Sequence, residues 1–409
     1  MKAALKTVLA VFLLVCPMVA AARDRSVPYI PGTRFSDNAI EFPSGKGYGF
    51  DRFYKKLDTL MGISRCDLRI LHVGGSHVQA GTWTQQLRRN LLSLRYGMDG
   101  GRGLVFPYSA AGTNTPMSYT SYSTGNWTFS RCLKPEDDHP LGVTGMSVST
   151  SDPSATIMID MVERNAREAS PGFTFKTVDI LGYSTGGAYP VVIMHRDTLV
   201  GRRDKASGLW HFDLPHFTDY VRVGVKGLPG ELTITGLYLD KPAMGLSVSG
   251  AGVNGASTWS WTGCHDWARD IALLKPDLVI FSIGINDIQG TEFRQGGFIS
   301  NYGKLVSMVR KASPGCAILF TTNNDSYRKG SPNPFTGECT DAFYQLARKW
   351  DAGVWNLYRI MGGEGSMQAW EAAGYAQGDR IHFRSEGYDV LGNLLFNAIM
   401  DGWRNSRHK

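Results

Sequence analysis

The stretch Leu278-Val279-Ile280-Phe281-Ser282-Ile283-Gly284-Ile285-Asn286-Asp287 begins as a nearly continuous apolar run. A half-exposed strand alternates apolar and polar residues, so an unbroken run of this length predicts a strand buried on both faces, as in a parallel sheet covered by helices. Upstream, Leu68 to Val73 and Leu246 to Ser249 read as strands, followed by helical stripes at Trp83, Leu87, Leu91 and Leu94 and at Trp267, Ile271 and Leu274. Downstream come a stripe at Tyr302, Leu305, Val306 and Val309, a strand from Ala317 to Thr322, and a stripe at Phe343, Leu346, Ala347 and Trp350. A last strand is expected from Val354 to Ile360, then a closing helix through Tyr388, Leu391, Leu395 and Ile399 with Ser385 as its N-cap. The alternation predicts an α/β fold in three layers, a parallel sheet between helices.

Residues 103–242 read differently. Period-two alternation runs through Ala155 to Met161, Val221 to Val225 and Leu232 to Ile234, and no amphipathic helix is evident. Glycine-rich Gly97 to Gly103 opens the region and Asp240 to Gly245 closes it, as linkers would. An all-β sandwich inserted into the α/β domain after its first strand and helix is the expectation, in keeping with a chain of 409 residues, long for a single core. Its aromatic residues include Trp127, Tyr183, Tyr189 and Trp210, which can serve as core or as platforms for sugar rings. The sandwich is expected to set substrate choice, with the chemistry left to the α/β domain.

Three segments carry candidate chemistry. Ser76, in Gly74-Gly75-Ser76-His77, follows the first predicted strand, and the carboxyl ends of parallel strands face the ligand crevice. Asp379 and His382 are three residues apart, a spacing that lets the carboxylate meet one ring nitrogen and leaves the other for the serine. A serine hydroxyl is a weak nucleophile until a base takes its proton, and an imidazole does so best when a carboxylate orients it. Asn286 ends the buried strand, where its amide can stabilise an oxyanion. Each residue also has a plain reading as a turn or cap residue; the combination on one sheet is what points to chemistry. His77 adjoins Ser76 and reads as structural or as a substrate contact, because adjacent residues rarely face each other. Gly182-Tyr183-Ser184-Thr185-Gly186 fits a nucleophile elbow but is followed by Pro190 and a strand, where an elbow requires a helix. Gly250 to Gly255 fits a dinucleotide fingerprint without the ribose-binding acid at the end of the next strand.

At the N-terminus, Lys2 and Lys6 precede an apolar run that is broken by Pro17 and reaches Ala20-Ala21-Ala22, the pattern of a cleaved export signal over residues 1–22 and not of a membrane span. Cys16 offers an alternative reading as a lipidation site, with bulky Val15 before it. The net charge of +7 falls to +5 without Lys2 and Lys6, which suits an anionic envelope polymer. No basic run suggests nucleic acid. The remaining cysteines, Cys66, Cys132, Cys264, Cys316 and Cys339, are too scattered for a disulfide scaffold, though one bridge is compatible with an oxidising compartment. Neither Cys-X-X-Cys nor His-Glu-X-X-His occurs, so no metal or other cofactor is indicated.

These residues resemble the SGNH (GDSL-like) hydrolase superfamily, whose blocks appear in order: Gly74-Gly75-Ser76-His77, Gly252-Val253-Asn254-Gly255-Ala256-Ser257, Gly284-Ile285-Asn286-Asp287 and Asp379-Arg380-Ile381-His382-Phe383. The resemblance implies a flavodoxin-like hydrolase domain over 23–102 and 243–409, with Ser76 as nucleophile, His382 as base and Asp379 as its orienting acid. It also implies oxyanion donors from Ser76, Gly255 and Asn286. One departure is Gly75, where the family usually has aspartate. The inserted sandwich and export signal look like those of periplasmic peptidoglycan O-acetylesterases, which implies a periplasmic or secreted enzyme removing acetyl from the C6 hydroxyl of N-acetylmuramic acid. A transferase using the same triad, an acetyl xylan or other carbohydrate esterase, and a glycan-binding protein with a degenerate hydrolase domain are the alternatives. The resemblance leaves the oligomeric state open.

Overall fold

The computed structural model describes residues 24–62, 66–134, 141–162, 173–195, 197–204, 207–227, 229–241 and 244–407. The proposed export signal and Cys16 lie outside them. Six strands form the central sheet in the order Ile40–Glu41, Gly353–Trp355, Ala317–Thr321, Leu278–Ser282, Leu68–Gly74, Leu246–Gly252. The four neighbouring pairs among the last five strands are parallel, and only the edge pair Ile40–Glu41 with Gly353–Trp355 is antiparallel.

Period-two geometry sorts each apolar strand onto two covers. Leu68, Ile70, Leu278, Ile280 and Leu319 face one layer, with the helices Phe50–Met61, Thr82–Leu92 and Ser385–Ser406. Leu71, Val73, Val279, Phe281, Ile318 and Phe320 face the other, with the helices Trp267–Leu274, Gln295–Ala312 and Thr336–Trp350. His72 falls on the first face and is buried; its ring nitrogens meet Thr84 Oγ1 at 2.9 Å and Ser282 Oγ at 2.8 Å, and burial lowers its pKa to about 3.

Two corrections concern local signals. The strand expected from Val354 to Ile360 stops at Trp355, because Asn356 caps a helix over Leu357–Met361 by accepting from the Arg359 N–H at 2.9 Å. The closing helix begins at Ser385 itself, preceded by Arg384 in extended conformation, with no side-chain cap.

Between the strands Leu68–Gly74 and Leu246–Gly252 lie two antiparallel sheets of five and seven strands. One contains Thr120–Thr124, Thr156–Asp160, Tyr189–Ile193 and Tyr220–Lys226; the other is built around Phe175–Ser184 paired with Leu232–Asp240. The Gly182 to Gly186 segment ends one strand and turns toward Tyr189–Ile193, not into a helix. The chain enters and leaves this region side by side: the Gly100 N–H donates to Leu246 O at 3.0 Å and the Leu246 N–H to Met98 O at 2.6 Å. Backbone contact this close needs glycine, since a Cβ on Gly100 would lie 2.7 Å from the carbonyl carbon of Gly245. The sandwich core is continuous with one face of the parallel sheet, a single buried cluster running from Val73, Ala251 and Phe281 to Leu104, Val148, Ile157 and Leu237. Trp210 belongs to this core, whereas Trp127, Tyr183 and Tyr189 are half-buried.

Candidate active site

The strand Leu68–Gly74 delivers the chain to Gly75, and Ser76 opens a one-turn helix, Ser76–Gln79. An N–H at the start of a helix has no acceptor within it and is free to point at an anion. Gly75 stands close to the exit of strand Leu278–Ser282, since a Cβ built there would lie 3.3 Å from Asn286 Nδ2. Ser76 and Asn286 are therefore neighbours across the crevice floor, as the order of strands Leu68–Gly74 and Leu278–Ser282 dictates.

The C-terminal segment brings the other two groups. Ser76 Oγ lies 2.8 Å from His382 Nε2, and His382 Nδ1 lies 2.7 Å from Asp379 Oδ2. Asp379 Oδ1 also accepts the N–H of Ile381 at 2.9 Å and of His382 at 3.0 Å. Partial burial raises the Asp379 pKa, but these hydrogen bonds from the His382 ring and the two backbone N–H groups outweigh it and leave it below the ordinary value. The curl that permits this wiring places Arg380 in the left-handed region at φ 53°. Arg380 is held there by Glu371 at 2.5 Å and by stacking of its guanidinium on Tyr327 at 4.9 Å.

His77 takes the structural role of its two readings. Its ring stacks on His382 with centroids 5.0 Å apart, and its Nδ1 lies 3.0 Å from the Tyr388 hydroxyl. Burial, followed by the neighbouring His382, lowers its pKa to about 3, so it is a neutral plate behind the His382 imidazole.

The remaining wall is the turn after strand Leu246–Gly252. Gly255 is exposed there at φ 81°, and Asn286 Nδ2 donates to Ala256 O at 3.0 Å, leaving its second N–H for the crevice. Ser257 caps the short helix Thr258–Trp261, and the Asp287 carboxylate accepts from the Thr258 N–H at 3.0 Å and the Thr258 hydroxyl at 2.5 Å. Burial pushes the Asp287 pKa up to about 6 against those hydrogen bonds. The glycines of Gly250 to Gly255 thus end a strand and turn beside Ser76.

Of the five sequence-predicted residues, Ser76, His382 and Asp379 form one hydrogen-bonded chain, Asn286 lies against Gly75, and Gly255 sits in the turn that Asn286 meets through Ala256. Sequence reasoning missed Gln79, Asn114, Asp287 and Tyr388, which hold the crevice walls. Of these only Asp287 carried a signal, being adjacent to Asn286. The five candidates all lie in the α/β part, and the antiparallel region packs against them: the side chain of Leu133 lies 3.7 Å from the Cβ position of Gly255, and Asn254 Nδ2 donates to Asn114 Oδ1 at 2.6 Å.

All five described cysteines are free thiols, and Cys132 and Cys264 are hydrogen-bonded neighbours in the core. Among the described residues, no group of His, Cys, Asp and Glu is arranged to hold a metal ion, and no helix is long and apolar enough to cross a membrane.

Residues 234–390 match the GDSL-like lipase/acylhydrolase family. Over 90% of its length the chain shares the fold of a solved peptidoglycan O-acetylesterase, at a TM-score of 0.71 and 22% identity, covering 99% of that protein. The fold is thus that of an SGNH-type α/β hydrolase with a β-rich addition. Two smaller structures align over 38% of this chain: a lipase/acylhydrolase from Enterococcus faecalis at 22% identity, TM-score 0.32 and 77% of its length, and the acetylxylan esterase Axe2 from Geobacillus stearothermophilus at 17%, 0.31 and 73%. No curated protein matches the chain in sequence.

Proposed function

We propose that this protein is an exported serine O-acetylesterase acting on a cell-wall glycan, with the C6 O-acetyl of N-acetylmuramic acid in peptidoglycan as its substrate. In this reading residues 23–102 and 243–409 form the hydrolase domain and 103–242 an inserted, glycan-contacting module. The observation that carries it is the hydrogen-bonded chain from Ser76 Oγ through His382 to Asp379, beside the Asn286 amide.

Ser76 Oγ attacks the acetyl carbonyl carbon as His382 Nε2 takes its proton, and Asp379 stabilises the imidazolium. The oxyanion is met by the N–H groups of Ser76 and Gly255 and the free N–H of Asn286. The ester C–O bond breaks, His382 gives its proton to the departing sugar oxygen, and a water, deprotonated by the same imidazole, releases acetate from the acetyl-serine.

The choice of an acidic glycan is supported by a cleft of about 470 Å³ whose wall includes Asp379. Its rim carries Arg328 and Lys329, neither with an acidic partner among the described residues, while Asp379 and Arg380 are already paired. Cations without acidic partners in the cleft that Asp379 lines suit a muramyl carboxylate better than neutral xylan. The peptidoglycan O-acetylesterase of the same fold agrees with that choice.

The test is acetate release from O-acetylated peptidoglycan and from acetylated xylan, at low and high salt. Faster release from peptidoglycan, with a rate that falls as salt rises, is expected. Equal rates at both substrates would remove the peptidoglycan assignment, and acetate appearing on a sugar acceptor in place of free acetate would make the protein a transferase.

A further inference from the structure

The nucleophile helix, the oxyanion turn and the antiparallel region meet at one buried amide. Gln79, the last residue of the helix that begins at Ser76, is fully buried. Its Oε1 accepts the backbone N–H of Asn254 at 2.7 Å. A backbone N–H can only donate, so the orientation of the Gln79 amide is settled and its Nε2 must point the other way. There it donates at 3.1 Å to the hydroxyl of Thr113, to the Asn114 backbone carbonyl and to Asn114 Oδ1. Asn254 Nδ2 reaches the same Asn114 Oδ1 at 2.6 Å. One oxygen of the antiparallel region therefore takes donors from both sides of the crevice.

The loop that carries Asn114 is itself pinned to the nucleophile segment. The Met117 N–H donates to Ala80 O at 3.2 Å, and Pro116 packs so closely that a Cβ on Gly81 would lie 2.6 Å from it. Gly255 follows Asn254 directly, so fixing the Asn254 N–H and the Asn254 side chain constrains the next peptide, the one that carries the Gly255 N–H.

We infer that Asn114 is a positioning residue for the oxyanion turn, acting through Gln79 and Asn254 to set the Gly255 N–H relative to Ser76. The inference rests on the serine esterase reading. The inserted region then contributes to the acyl-transfer step with any ester, small or polymeric, and not only to recognition of glycan. Because Asn114 works as an acceptor at Oδ1, a carboxylate in its place keeps both hydrogen bonds, whereas an apolar side chain of similar size keeps neither.

The experiment compares wild-type, Asn114→Asp and Asn114→Leu proteins in hydrolysis of 4-nitrophenyl acetate, with thermal unfolding measured alongside. Asn114→Leu is expected to lower kcat about 10-fold to 100-fold with KM within about twofold, less than outright loss of an oxyanion donor, since the Gly255 N–H is misaligned and not removed. Asn114→Asp should retain kcat within about threefold of wild type, and neither variant should shift Tm by more than about 2 °C. An unchanged kcat in Asn114→Leu overturns the inference. So does an equal loss in both variants, or a loss of activity that runs in parallel with a lowered Tm, since either would make the residue a structural one. A wild-type protein that releases no nitrophenol overturns the esterase reading itself.

Discussion

On one wall of the crevice, Asp379 and His382 wire each other within four residues of chain, the carboxylate taking the ring and two backbone N–H groups of its own loop. On the opposite wall, the segment from Val253 to Thr258 makes its anchoring contacts with residues far away in sequence: Gln79, Asn114, Asp287 and Asn286. The first wall wires its acid and base locally, and contacts from Glu371 and Tyr327 only steady the curl at Arg380. The second is an assembly of three segments, one of them from the antiparallel region, and it stands or falls with the packing between them. Position of a single group can be encoded by neighbours in sequence; a cradle of N–H groups pointing at one spot needs a shell.

The sharpest way to break this comparison is at the triad. Ser76→Ala and His382→Ala should each reduce turnover by roughly 10⁶-fold, and the double variant should be no worse, because the groups act in one step. The measurement is ester hydrolysis with circular dichroism to show retained fold. Additive losses would mean that the 2.8 Å contact between Ser76 and His382 does not report a shared step.

On the assembled wall, Asn286→Ala removes one side-chain donor and should lower kcat by roughly 10² to 10³ with KM little changed. Steady-state kinetics decide it. A change confined to KM would assign Asn286 to ground-state binding and leave the oxyanion to backbone groups alone.

The smallest effect is on stability. The Asp287 pKa is pushed up to about 6 by burial, so the folded protein binds this proton more tightly than the unfolded chain does. Stability contributed by the protonated acid is complete below the unfolded carboxylate value and is lost as pH rises through about 6. Asp287→Asn keeps an acceptor for Thr258 without the buried charge. Its unfolding free energy relative to wild type should therefore improve between pH 4 and pH 6 and level off above, by about 3 kcal/mol at most. Denaturant unfolding at a series of pH values measures it, and a difference that does not vary with pH would show that Asp287 titrates normally.

Much of the framework was legible because it follows from periodicity. The runs at Leu68, Leu278 and Ala317 announce strands buried on both faces, and the alternation in 155–161 and 221–225 announces sheets with one wet side. Where the reading slipped, a cap was involved: Asn356 turned an apolar run into a helix start, a competition between local hydrogen bonding and apolar pattern that composition does not resolve.

By itself the sequence determined the layers of the fold, the division into parallel and antiparallel parts, and the identities of Ser76, Asn286, Asp379 and His382 as candidates, since each lies at a strand end or in a short self-wired motif. Only the tertiary structure decided that the sandwich core is continuous with one face of the sheet, that His77 is a neutral plate against His382, and that Gln79 and Asn114 hydrogen-bond to the turn at Asn254. The physical reason is reach. Strand pattern and Asp-X-X-His geometry are set within a few residues, whereas a glutamine amide that bonds Asn254 and Asn114 at once spans 175 and 35 residues of chain, and nothing at either end of such a bond marks it in advance.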